Sequence, residues 1–205
     1  HDAATHQRRF NALFATASQD ARALHIVARY GYAAWRDTQP AVVQAWLDAQ
    51  AFDAAMDHTD RAGAVYCHAY DQQAITAGAG TMTEEILEDD PDVATVIVAV
   101  GGGGLLAGTL AAAQGRADVV GVEPQAAATL ATALAEGEPT DVEVSGIAAD
   151  SLGARRIGEI GFATVQRVGV TSLLVDDEAI RAARAALWED FRIAAEHGAA
   201  AAYAA

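Results

Sequence analysis

Hydrophobic positions in the first third of the chain recur at helical spacing, whereas the remainder falls into short apolar runs separated by amphipathic stretches. Phe10, Leu13 and Phe14, then Leu24 and Val27, predict a helix over residues 10–30, with Gly31 as its stop. Pro40 suits the first turn of a second helix that carries Val43, Trp46 and Leu47 and runs on to about residue 62, where Gly63 closes it. Trp35, Trp46, Phe52 and Met56 read as core side chains rather than a ligand box. Residues 64–67 are short and strand-like.

From Gly63 onward the pattern alternates. A turn at Tyr70-Asp71-Gln72-Gln73 leads into a helix over residues 75–88, broken by Asp89-Asp90-Pro91-Asp92. A β-branched strand over 93–100, four glycines, a helix over 105–114 and a strand over 119–123 form one βαβ unit. A helix fits residues 126–136, and residues 146–161 read as a glycine-punctuated loop with a short helix. Residues 165–170 and 173–175 are strand-like, the acidic Asp176-Asp177-Glu178 opens a helix to Phe191, and an alanine-rich tail follows Glu196. This order predicts an α/β fold with an open, mostly parallel sheet flanked by helices. Residues 1–62 form a mainly helical region and residues 63–205 the α/β domain.

Composition narrows the function. With 205 residues, 52% of them hydrophobic, the chain can bury a sizeable core. Its net charge of −15 excludes the basic footprint that nucleic acids and anionic membranes require. The uncharged stretch 93–113 is long enough for a membrane span, but four glycines at its middle favour a buried strand turning into a helix. The single cysteine, Cys67, forms no internal disulfide, and no cationic-then-apolar leader opens the sequence, so a cytoplasmic location is expected. All 13 basic residues are arginine, and arginine, unlike lysine, does not deprotonate to act as an amine nucleophile.

The candidate chemistry centres on Gly101, Gly102, Gly103 and Gly104. Glycines between a buried strand and a helix let backbone approach a ligand and aim several N–H groups at one place, for which phosphate is the natural occupant. Two ligand readings follow. Gly102-x-Gly104-x-x-Ala107, with Glu123 ending the next strand, satisfies a loose dinucleotide fingerprint, although that motif normally opens its domain and here residues 1–100 precede it. The other reading draws on more of the chain. The blocks Cys67-His68-Ala69-Tyr70-Asp71, Thr76-Ala77-Gly78-Ala79-Gly80-Thr81, Glu84-Glu85-Ile86-Leu87, the segment 98–108 and Gly121-Val122-Glu123-Pro124 occur in the order and spacing of the serine/threonine dehydratases. The sequence resembles that pyridoxal-phosphate-dependent, fold-type-II family over residues 63–205, where Gly146-Ile147-Ala148-Ala149-Asp150-Ser151-Leu152-Gly153 and the tail from Glu196 continue the likeness.

The resemblance implies the larger domain of such an enzyme with a reduced smaller domain, and a homodimer as the assembly. It implies that Gly101 to Gly104 and the amide of Leu105 hold the cofactor phosphate, and that the substrate is a small amino acid, L-threonine or L-serine. It also implies a lysine that holds the cofactor covalently and moves the substrate α-proton. The nearest match to the lysine segment is Thr5-His6-Gln7-Arg8-Arg9-Phe10-Asn11, with Gln7 in the lysine's place and two residues fewer before Phe10. A glutamine amide is neither nucleophile nor base at neutral pH. The family's substrate-carboxylate loop has no counterpart in residues 12–61. Some members hold a divalent cation through a glutamate, a backbone carbonyl and an aspartate; Glu123 and Ala127 match the first two, and Thr129 stands where the aspartate would be. A single charged ligand is a poor site for a hard cation. The expectations are therefore a dehydratase-type enzyme in divergent or incomplete form, a non-catalytic phosphate-binding module, a nicotinamide-dinucleotide domain, or a decayed fragment. His25, His58 and His68 lack metal-ligand spacing, and Ser151 lacks a nucleophile elbow.

Overall fold

The computed structural model describes residues 51–205, with side chains from residue 55 onward. Gln7 and the helical readings over 10–30 and 40–50 lie outside the described residues. The chain divides into two compact units, His1–Tyr66 and Cys67–Ala205. In the first unit, helix α1 (Ala51–Ala62) ends at Gly63, whose φ of 63° is the left-handed stop that glycine adopts without strain. Residues 64–67, expected as a strand, carry no sheet pairing: Val65 is exposed, and a strand edge without a partner gains nothing from its β-branched residues.

The second unit contains α2 (Gln73–Asp89), β1 (Thr95–Ala99), α3 (Gly104–Ala113), β2 (Asp118–Pro124), a 3-10 turn (Gln125–Ala127) and α4 (Thr129–Glu136). Then follow α5 (Glu159–Val168), β3 (Thr171–Val175), α6 (Asp177–Phe191) and α7 (His197–Tyr203). The strands form a parallel sheet in the order β1-β2-β3, with Val98 opposite Gly121 and Val122 opposite Leu173.

Strand alternation assigns the two faces. On β2, Val119 and Gly121 face a core of Val98, Val100, Leu106, Leu110, Leu130, Phe162 and Val165, so α3, α4 and α5 cover that side. Val120 and Val122 face a second core with Val175, Ile180, Ala200 and Ala201, which places α6 and α7 on the other. Over β2 both faces are covered and the strand is an apolar run, as a buried parallel strand must be, whereas Ile97 on β1 and Leu173 and Leu174 on β3 remain exposed. The segment 93–113 is accordingly a strand, a loop and a helix, and no helix among the described residues is long and apolar enough to cross a membrane.

Three local expectations change. Residues 165–170, read as a strand, lie mostly in α5, which is opened by hydrogen bonds from the amides of Glu159 and Ile160 to the Asp71 carboxylate and directs Phe162 and Val165 into the core. A short β-branched run cannot signal which of these applies, because the acceptor lies far away in sequence. The 146–161 loop contains turns rather than a short α-helix before α5 begins. The helix expected over 126–136 splits into the 3-10 turn and α4, where Glu123 meets the first amides of α4.

Candidate functional site

The glycine loop leaves β1 at the carboxyl edge of the sheet and becomes the N-terminus of α3. Gly103 sits at the helix cap with φ 84° and ψ −4°, a conformation strained for any residue with a Cβ. Such a Cβ would also lie 2.7 Å from Ile157 Cγ1, and one on Gly102 would fall within the Tyr70 ring. The loop therefore serves the chain's own packing as well as any ligand.

Each loop carbonyl is held by the protein. The Gly101 oxygen accepts from Thr129 Oγ1 at 2.6 Å, the Gly102 oxygen from the Gly158 amide at 2.9 Å, and the Gly103 oxygen from the Ala107 amide at 2.9 Å. In a planar trans peptide the next N–H points opposite to the carbonyl, so the amides of Gly102, Gly103 and Gly104 turn away from these three anchors. Among the described residues none accepts a hydrogen bond from the amides of Gly101, Gly102 or Gly103. Leu105 lies in the first turn of α3, whose amides have no carbonyl one turn earlier to bond. Partnerless donors and the positive end of a helix dipole converge here, as in sites that receive phosphate.

The surrounding turns brace this arrangement. His68 Nδ1 accepts from the amides of Tyr70 and Asp71 at 3.1 and 2.8 Å, which requires the neutral ring with its proton on Nε2. The His68 ring also meets the Tyr70 ring edge-on at 4.7 Å. His68 thus shapes the turn before α2. Asp71 then caps α5 beside Gly158, the donor to Gly102. Cys67 is exposed and free, and Ser151 Oγ accepts from the Gly198 amide at the start of α7.

Glu123 is fully buried at the end of β2. Its Oε1 accepts from the Leu130 amide at 2.6 Å and lies 3.1 Å from Thr129 Oγ1, while Oε2 accepts from the Ala131 amide at 2.9 Å. Burial pushes its carboxyl pKa above the ordinary 4.5, and the Leu130, Ala131 and Thr129 hydrogen bonds pull against that rise. Among the described residues no group of three or more His, Cys, Asp or Glu gathers as a metal cluster. A depression of about 510 Å³ opens at the opposite edge of the sheet among Thr95, Asp118 and Thr171, where open α/β sheets do not place their ligands.

Sequence reasoning placed the glycines but missed Asp71, Gly158 and His68 as their supports, and saw Thr129 only as a poor cation ligand. The chain pattern did contain Asp71 and Gly158, but nothing in it signalled that positions 87 residues apart would meet.

A tied-back glycine loop at the carboxyl edge of a parallel sheet, leading into a helix N-terminus, defines an α/β domain of the kind that receives phosphorylated ligands. The chain belongs to the pyridoxal-phosphate dependent enzyme family, whose profile matches residues 21–205. It is 32% identical over 150 residues to the L-threonine ammonia-lyase of Thermotoga maritima, covering 72% of this chain and 37% of that protein. The processed form of threonine deaminase isoform 2 from Solanum lycopersicum superposes with a TM-score of 0.70 at 29% identity, over 74% of this chain and 45% of that one. The serine racemase of Dictyostelium discoideum gives 0.68 at 28% identity, over 75% and 50%. The resemblance to the fold-type-II serine/threonine dehydratases is thus shown, and that family depends on pyridoxal phosphate. The chain spans half or less of the length of each of these proteins.

Proposed function

We propose that this chain is the cofactor-phosphate-binding portion of a threonine/serine dehydratase-type protein, and that within these residues it holds pyridoxal phosphate without a covalent bond. The carrying observation is the loop itself, with its carbonyls anchored by Thr129, Gly158 and Ala107 and its amides turned away from those anchors. The amides of Gly101, Gly102, Gly103, Gly104 and Leu105 bind and orient the phosphate, and the packed sheet keeps the loop from relaxing onto its own carbonyls. When bound, pyridoxal phosphate supplies an electron sink for breaking a bond at the substrate's α-carbon. The group that moves the α-proton in such chemistry is a lysine, and the 205 residues contain none. The site therefore fits the cofactor's phosphate while lacking the group for its covalent attachment. The reading extends to a non-catalytic binding role, a small amino acid as the second ligand, and a homodimer as the assembly.

Burial of Glu123 weighs against the dinucleotide reading. Both its oxygens face α4 amides from within the core, so it does not offer a carboxylate to a ribose hydroxyl.

Titrating the chain with pyridoxal phosphate, followed by borohydride treatment and peptide mapping, tests the proposal. Reversible binding with no borohydride-stable adduct on an internal residue is expected, and no 2-oxo acid should form from L-threonine. An internal adduct, or turnover of L-threonine, overturns the non-covalent reading. Tight NADH binding with no competition from pyridoxal phosphate overturns the cofactor assignment.

A further inference from the structure

We propose that Thr129 is a positioning residue for the glycine loop, acting through a strut in which the Glu123 carboxylate holds the entry of α4 by its amides and the Thr129 hydroxyl donates to the Gly101 carbonyl, and that this strut works without a divalent cation. It deepens the phosphate-loop reading and rests on it for its ligand.

Thr129 is fully buried at the first position of α4, and its hydroxyl lies 2.6 Å from the Gly101 oxygen and 3.1 Å from Glu123 Oε1. A hydroxyl has one proton. The shorter distance assigns it to the Gly101 carbonyl. That bond fixes the plane of the Gly101–Gly102 peptide and so aims the Gly102 amide away from α4, toward the outward side of the loop. Gly102 and Gly103 have carbonyls held from elsewhere, by Gly158 and Ala107, so Thr129 is the side chain that determines the direction of the Gly102 amide.

Glu123 holds Thr129 in turn. By accepting the Leu130 and Ala131 amides it fixes the entry of α4, and with it the position of the residue immediately before them. These interactions do not fit a cation. A hard divalent ion needs about six to eight oxygen ligands free to face it, whereas here both oxygens of the one buried carboxylate are met by N–H groups, which repel a cation. Thr129 adds a neutral hydroxyl already directed to Gly101. The hydrogen bonds make the connection from β2 to the loop that a shared metal ligand would otherwise make.

The test uses the full chain after EDTA treatment. Affinity for inorganic phosphate and for pyridoxal phosphate, and hydrogen exchange without ligand of the Gly158 amide, which donates to the Gly102 carbonyl, are measured for the wild type, Thr129→Val and Thr129→Ser. Valine keeps the shape and removes the hydroxyl, and serine restores the hydroxyl. Valine is expected to weaken both affinities and, by loosening the loop that accepts the Gly158 amide, to speed exchange at Gly158 by about tenfold, the equivalent of one hydrogen bond of roughly 1.4 kcal/mol. Serine should return both toward wild-type values. Millimolar magnesium or calcium should leave the wild type unchanged in affinity and melting temperature.

Unchanged Gly158 exchange in Thr129→Val overturns the strut, as does a wild type whose Gly158 exchange or melting temperature responds to added magnesium or calcium. Should Thr129→Val fail to fold, exchange at Gly158 in Thr129→Ser and the cation response of the wild type still decide: exchange much faster than wild type despite a retained hydroxyl overturns it. Failure of the wild type to bind either phosphate probe sinks the phosphate reading alone, because the exchange comparison requires no ligand.

Discussion

Asp71 holds the start of α5 through Ile160: its Oδ1 lies 2.9 Å from the Ile160 amide nitrogen, 89 residues further along the chain, and Oδ2 takes the neighbouring Glu159 amide at 3.1 Å. The same junction carries Gly158, whose amide anchors the Gly102 carbonyl. A helix cap and a ligand loop thus share one turn. Asp71→Ala is expected to cost about 1–2 kcal/mol in urea unfolding, the usual value of such a cap, and to weaken phosphate binding as well. Asp71→Asn, which keeps an acceptor, should lose less than half of that. Equal losses in both variants would show that charge, not capping, dominates.

Gly103 combines two separable penalties. Its φ of 84° disfavours any side chain, and Ile157 Cγ1 would stand 2.7 Å from an added Cβ. Gly103→Ala is expected to destabilise the chain by roughly 1–3 kcal/mol. In the Gly103→Ala, Ile157→Ala double variant, which removes Cγ1, the steric part should be relieved, giving a favourable coupling in a double-mutant cycle of urea midpoints. Strict additivity would leave backbone conformation as the whole effect.

Two glycines within α2 and α3 should respond to alanine with opposite signs. Gly108 packs against α2 so closely that a Cβ would lie 2.6 Å from both Gly80 N and Thr76 O, beside the buried hydrogen bond from Thr83 to Thr109. Gly78 is exposed on α2 with nothing within 4 Å. Alanine favours a helix interior over glycine by about 1 kcal/mol. Gly78→Ala should therefore raise the melting temperature, and Gly108→Ala should lower it despite the same propensity gain. A rise in both would mean that α2 and α3 can separate without loss.

Glu123 makes stability depend on acidity in a defined direction. Its folded pKa is raised above 4.5 because burial disfavours the charge. In the window between the unfolded and folded pKa values the folded chain binds a proton that the unfolded chain has released. The stability Glu123 contributes is therefore full below the unfolded value and is lost as pH rises through the folded one. Glu123→Gln does not titrate. The unfolding free energy of the wild type minus that of Glu123→Gln should fall as pH rises through that window and level off above it. A difference that grows with pH would show that the N–H donors outweigh burial.

The hydrophobic pattern by itself determined the βαβ order, the parallel α/β class and the position of the glycine loop. Those features are local: alternation or helical spacing over a few residues, and glycines where a strand must turn closely into a helix. The boundaries of α3, β2 and α6 follow from the same signals to within a residue or two. Composition determined with equal firmness that no lysine is present. Tertiary structure decided the rest. Residues 165–168 became helix because Asp71 supplies a remote cap, and Glu123 became a buried acceptor for α4 because β2 ends directly beneath that helix. Thr129 carries no pattern that marks it as a support for Gly101, since the hydrogen bond exists only once β1, β2 and α4 are packed together. Local sequence encodes torsional and burial preference, whereas the direction of an amide is set by whichever donor holds the carbonyl behind it, and in this loop two of the three donors come from far along the chain.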